Sequence, residues 1–140
     1  MIKYTQLPEN IGLLLTRAGA YLKSRSDVSF AYLFGGLAKE KPTPLSDVDI
    51  AVYLSEDENY IEKKMEILGK LMELLETDEI DLVILNTAPL TLRMKILESK
   101  KIIADNDPFL RHGYESLTMR KYFDFSIKEM EILERRFFHG

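Results

Sequence analysis

The sequence predicts an α/β domain, more narrowly α+β: a small mixed β-sheet with helices packed mainly on one face. Three observations carry this reading. Short apolar runs suited to strands recur at residues 28–34, 47–54, 79–86 and 100–104, and segments with apolar residues at three- and four-residue spacing lie among them. The 140 residues suffice for one compact core. Apolar residues make up 46% and charged residues 30%, the balance of an ordinary globular chain. One domain over 1–140 is therefore expected, including a C-terminal helical tail over 107–138.

Ile11, Leu14, Leu15, Ala18 and Leu22 place one apolar stripe on a helix over 9–24, behind Pro8. VSFAYLF, 28–34, reads as a buried strand closed by Gly35-Gly36. After a loop with Pro42 and Pro44, DVDIAVYL at 47–54 alternates Val48, Ile50, Val52 and Leu54 with Asp47, Asp49, Ala51 and Tyr53. Ile61, Met65, Leu68, Met72 and Leu75 mark a second amphipathic helix over 58–76. EIDLVILN, 79–86, is a third strand. Pro89 suits a first helical position and starts a helix to Ser99. KKIIA, 100–104, is a short fourth strand. Asp107-Pro108 opens the tail, with a break expected near Gly113 and a stripe of Met119, Phe123, Ile127, Met130, Leu133 and Phe137.

Composition narrows the function classes. No apolar run approaches the ~20 residues that span a bilayer, and MIKYTQLPEN lacks the layout of a secretory signal. A cytoplasmic protein without membrane contact is expected. Zero cysteines exclude a disulfide framework, and two histidines, His112 and His139, leave little for a zinc site. The net charge of −4 and the lack of a dense basic cluster argue against binding extended nucleic acid. A small anionic substrate held by a metal and one or two cations remains compatible, as does self-association.

Asp47 and Asp49 stand two apart in a strand and project together, about 7 Å from each other. Such a pair repels unless cations lie between, and Mg²⁺ is a hard cation that takes carboxylate oxygens. Alone, the pair is also ordinary chemistry for a turn and a polar strand edge. Asp81 sits in the apolar run IDLVIL, where an unpaired carboxylate is costly. It is either a capped or paired acid at a strand's start or, if the two strands are neighbours, a third ligand. Three converging acids suit in-line displacement at phosphorus on two metal ions. Gly35-Gly36, before LAKE, can cradle phosphate on backbone N–H groups, with Lys39 adding charge. By itself the glycine pair is equally a plain turn that needs positive φ.

Together, AYLFGG…SDVDIAVYL resembles the G-S-x10-D-x-D signature of the polymerase-β nucleotidyltransferase superfamily. More narrowly, the chain resembles the small MNT proteins paired with HEPN ribonuclease toxins, a likeness that runs on through IDLVILNTAPLTLRMKILESKKIIADND and YFDF at 122–125. The resemblance implies a polymerase-β-like nucleotidyltransferase fold and an antitoxin enzyme. It would use ATP as substrate and two Mg²⁺ ions to place AMP on a tyrosine hydroxyl of a partner HEPN toxin. By position, Asp47 and Asp49 would hold both metals, and Asp81 would complete the catalytic one and help activate the acceptor. Gly35, Gly36, Lys39 and Ser46 would bind the nucleotide. Gly36 stands where the family usually has serine, and Lys39 where arginine is common. Losing one hydrogen bond to a charged group costs roughly 1.5–3 kcal/mol, about ten- to a hundred-fold in binding or rate. A second reading follows: a catalytically impaired antitoxin that neutralises its partner by binding only.

Overall fold

The centre of the fold is a strand buried at all seven positions, β1 (Val28–Phe34). A strand buried on both sides requires cover on both sheet faces. The computed structural model describes residues 7–38, 47–56 and 58–138 and supplies that cover. In chain order α1 (Ile11–Ser24) and β1 are followed by a 3-10 turn (Gly35–Ala38), β2 (Val48–Leu54) and α2 (Tyr60–Leu75). Then come β3 (Ile80–Ile84), a 3-10 turn (Leu85–Thr87), α3 (Leu90–Ser99), β4 (Lys101–Asp105) and α4 (Pro108–Phe138). The sheet order is β3-β2-β1-β4. β1 is antiparallel to both β2 and β4, whereas β2 and β3 are parallel, with α2 as the crossover such a pair requires. This is the expected mixed sheet.

Period-2 alternation divides the core in two. Leu33, Ile50, Val52, Leu82 and Ile84 meet Leu14, Ala18 and Leu22 of α1 and Ile67, Leu71 and Leu75 of α2. On the other face Phe30, Tyr32, Phe34 and Ala51 meet Ile96 and Leu97 of α3 and Leu110 and Tyr114 of α4. Phe30 stacks on Tyr53 with ring centroids 5.0 Å apart. The helices are thus shared between both faces, where one face had been expected to carry most of them; the unbroken burial of VSFAYLF is the sequence feature that demands it.

The tail also differs in one detail. α4 runs through Gly113 without a break, and on either side of it Arg111 bonds to Asp105 of β4 and Glu115 to Tyr32 of β1. A helix-interior glycine costs only about 1 kcal/mol against alanine, and these contacts outweigh it. Asp107 opens the helix by accepting the Leu110 N–H at 3.1 Å, the usual work of an N-cap carboxylate. The C-terminal half of α4 leaves its apolar stripe exposed, with Phe123, Met130 and Phe137 at 65%, 60% and 75%. No helix among the described residues is long and apolar enough to cross a membrane.

A buried polar cluster locks α4 to the sheet. Glu115 Oε2 accepts from the Tyr32 hydroxyl at 2.9 Å and from Lys100 Nζ at 2.6 Å, and Oε1 accepts from Arg111 at 3.0 Å. Arg111 also donates to Asp105 on β4 at 3.0 Å. Burial alone would raise the Glu115 carboxyl, but its bonds to Lys100 and Tyr32 and the charges of Lys100 and Arg111 outweigh that and hold it below its ordinary value. Burial and then the Glu115 carboxylate push the Tyr32 hydroxyl far up, so Tyr32 stays a neutral donor.

A group with a depressed folded-state pKa stabilises the fold above its ordinary pKa and loses that contribution as pH falls through the folded value. Glu115 should therefore support stability at neutral pH and release it progressively below about 4.5. Glu115→Gln leaves Arg111 buried with one partner fewer and should destabilise the protein by about 3 kcal/mol at pH 7. Its difference from wild type should shrink as pH falls below 4.5; chemical denaturation at several pH values reads both effects.

Candidate active site

The site grows out of the parallel pair. β2 and β3 align Val48 with Ile80, Asp49 with Asp81 and Ile50 with Leu82. Residues opposite each other in a ladder point to the same face, and neighbouring strands lie about 4.8 Å apart. Asp49 and Asp81 therefore project side by side on the α3 side of the sheet, at the end of β2 nearer Asp47. Asp81 is exposed and so escapes the desolvation cost that its apolar neighbours in sequence suggested. The far end of the pair is tied by Asn86, whose side-chain amide both accepts from the Leu54 N–H and donates to the Leu54 carbonyl, each at 2.9 Å. The asparagine of the L-N-x-A-P run is thus a backbone clamp that extends the ladder past β3.

Gly35 follows β1 at φ 69, and a Cβ built on it would overlap the Asp49 carboxylate. Both the left-handed backbone and the close approach exclude a side chain there. Gly36 is not a positive-φ residue, so the turn's backbone demand falls on Gly35 alone. The Gly35 N–H donates to Ser99 Oγ at 3.2 Å, drawing the end of α3 to the turn. Gly35, Asp49, Asp81, Lys95, Glu98 and Ser99 line one cleft of about 490 Å³. On the other side of Asp81 a second cleft of about 400 Å³ runs along the β3 edge, lined by Tyr60, Ile61, Lys64 and Pro89.

Asp47 lies one residue before β2 and is exposed. Among the described residues no three histidine, cysteine or acidic side chains are gathered closely enough to hold a metal ion. The structure thus aligns Asp49 with Asp81 and leaves Asp47 at the entrance of the strand. Lys39 and Ser46, both candidates for nucleotide binding, lie outside the described residues. Three participants were missed from sequence: Asn86, Lys95 and Ser99. Only Asn86 had a local signal, an amide between a strand and a proline-led helix; the others reach the site through tertiary packing. The donors fit Mg²⁺: Asp49 and Asp81 offer hard carboxylate oxygens whose mutual repulsion a divalent cation relieves.

A mixed sheet with paired acids beside a glycine turn is the framework of a nucleotidyl-transfer fold, and the polymerase beta nucleotidyltransferase model matches residues 18–109. The chain belongs to that family. Among solved structures, a variant of the toxin–antitoxin MntA-HpeT is similar at 26% identity, covering 92% of this chain and 97% of that one, with a TM-score of 0.65. The MNT antitoxin solved with a tri-AMPylated Shewanella oneidensis HEPN toxin shares 21% identity over 87% of this chain and 95% of that one, TM-score 0.66. A toxin–antitoxin solved with AMP-PNP shares 23% identity over 91% and 97%, TM-score 0.65. The first two of these neighbours are MNT antitoxins of HEPN–MNT pairs. No curated protein sequence matches the chain.

The two glycines should respond differently to substitution. Gly35→Ala meets both positive φ and the Asp49 carboxylate, so it should lose at least about 1–2 kcal/mol and disturb the site. Gly36→Ser meets no left-handed strain and should stay within about 0.5 kcal/mol of wild type. Thermal melts of the two variants beside wild type check the contrast.

Proposed function

We propose that this protein is a Mg²⁺-dependent adenylyltransferase antitoxin that moves AMP from ATP to a tyrosine hydroxyl of a HEPN-type toxin. The observation that carries the reading is the in-register pairing of Asp49 with Asp81, beside a glycine whose missing side chain leaves room for the Asp49 carboxylate. Family membership supports nucleotidyl transfer, and the solved neighbours supply the toxin, the AMP modification and the nucleotide analogue.

In this reading Asp49 and Asp81, with Asp47 at the strand entrance, would hold two Mg²⁺ ions. Bound there, the metal would supply neutralisation of the charge on the transferring phosphoryl group. The cleft beside Gly35 takes the triphosphate, and the groove along β3 admits the acceptor, so that Asp81 stands between the two substrates. The tyrosine oxygen attacks the α-phosphorus and forms the new P–O bond. The bond from the α-phosphorus to the bridging oxygen breaks, and pyrophosphate leaves with its electron pair. Asp81 is placed to take the phenolic proton. With Lys39 and Ser46, Gly36 completes the nucleotide-binding set without the usual serine hydroxyl, which slows transfer without removing the metal ligands.

The exposed stripe of α4 favours a second reading, in which the chain neutralises the toxin by binding alone. Isolated apolar side chains on a surface are normal, but six along one helix face suit a partner.

Asp49→Asn removes charge at nearly constant volume. It should abolish Mg²⁺-dependent transfer of label from α-labelled ATP to a co-purified toxin, at least a hundred-fold below wild type, with an unchanged melting temperature. Transfer at the wild-type rate would refute the mechanism. If the variant instead loses transfer but still silences the toxin, binding alone suffices.

A further inference from the structure

Ser99 is the last residue of α3, half-buried beside the glycine turn. Accepting the Gly35 N–H occupies one lone pair of its hydroxyl. The hydroxyl still has a hydrogen to donate, and among the described residues no acceptor engages it. Lys95 precedes Ser99 by four residues, so the two share a helix face, and both line the cleft that holds Asp49 and Asp81. The wall is not a general anion trap. Among the described residues that line it, three carboxylates, those of Asp49, Asp81 and Glu98, stand with one ammonium, that of Lys95. A polyphosphate can enter only with a divalent cation against the acids, and its remaining oxygens then need donors from the facing wall.

We infer that Ser99 and Lys95 are that wall: α3 supplies from the end of the helix the phosphate-binding hydroxyl that Gly36 does not carry, and Lys95 adds the positive charge. The inference rests on the nucleotidyl-transfer reading and adds two residues to it. Geometry favours Ser99 for the role because the bond from Gly35 holds its oxygen at the turn, within the same cleft as the paired acids. Lys95, exposed and one turn away, reaches the more distal phosphates.

The test is nucleotide affinity of the full chain by calorimetry, with MgATP and with AMP, beside thermal melts. Ser99→Ala should weaken MgATP about ten-fold while AMP affinity and melting temperature hold. Ser99→Thr keeps the hydroxyl and should bind like wild type. Gly36→Ser in the Ser99→Ala background should restore most of the lost affinity. Lys95→Met should weaken MgATP by a factor that shrinks as salt is raised. Unchanged MgATP affinity in Ser99→Ala overturns the inference. So does an equal loss for MgATP and AMP with a lowered melting temperature, since that marks Ser99 as a cap for the Gly35 N–H only. Wild type that binds no MgATP refutes the nucleotidyl-transfer reading itself, and this inference falls with it.

Discussion

The alignment of β2 with β3 is the constraint on which the rest depends. Its register is set by apolar side chains on one face, Val48, Ile50, Val52 and Leu54 on β2 with Leu82 and Ile84 on β3. A slip of β2 by one residue would turn its four side chains out of their core, each losing about 1.5–3 kcal/mol of burial. It would also drive Asp49 into that core, where an unpaired carboxylate is costlier still. The packing that stabilises the domain therefore holds the paired acids in place as well. Asn86 reinforces it by bonding both polar groups of Leu54 where β3 has already ended.

Around that pair each element carries a structural and a site-facing role. α3 buries Ile96 and Leu97 against Phe30, Tyr32 and Phe34, while Lys95 and Ser99 of the same helix face the cleft. β1 fills both cores and ends in Gly35, the one described glycine with positive φ. The glycine turn thus serves two demands at different residues: Gly35 satisfies the backbone and makes room for Asp49, whereas Gly36 is the position where a hydroxyl could have stood. Its absence leaves the carboxylate pair untouched.

The Glu115 cluster is a separate stabilising unit on the α3–α4 side. It joins β1, β4 and α4 through Tyr32, Asp105 and Arg111, and Lys100 links it to the end of α3. Buried charges of this kind are costly unless each is matched, and here one carboxylate serves three donors. The cluster anchors only the first turns of α4. Beyond them the helix extends with an apolar stripe that this chain does not cover.

Much of the fold was legible because it is local. Alternation over 47–54 separated the side chains that share a face with Asp49 from Val48, Ile50, Val52 and Leu54, and Asp107-Pro108 marked the start of α4, since both signals lie within a few residues of what they determine. The G-G and D-x-D spacing identified the family for the same reason. Tertiary structure alone decided the rest. That β3 lies beside β2, so that Asp81 meets Asp49, depends on a crossover through α2. That the positive φ falls on Gly35, and that the Asp49 carboxylate packs where its side chain would stand, is visible only in the folded turn. Ser99 reaches the Gly35 N–H across 64 residues, and Tyr32 reaches Glu115 across 83. No periodicity encodes such meetings, because they arise only when separate apolar faces are buried together and bring distant polar groups within hydrogen-bonding reach.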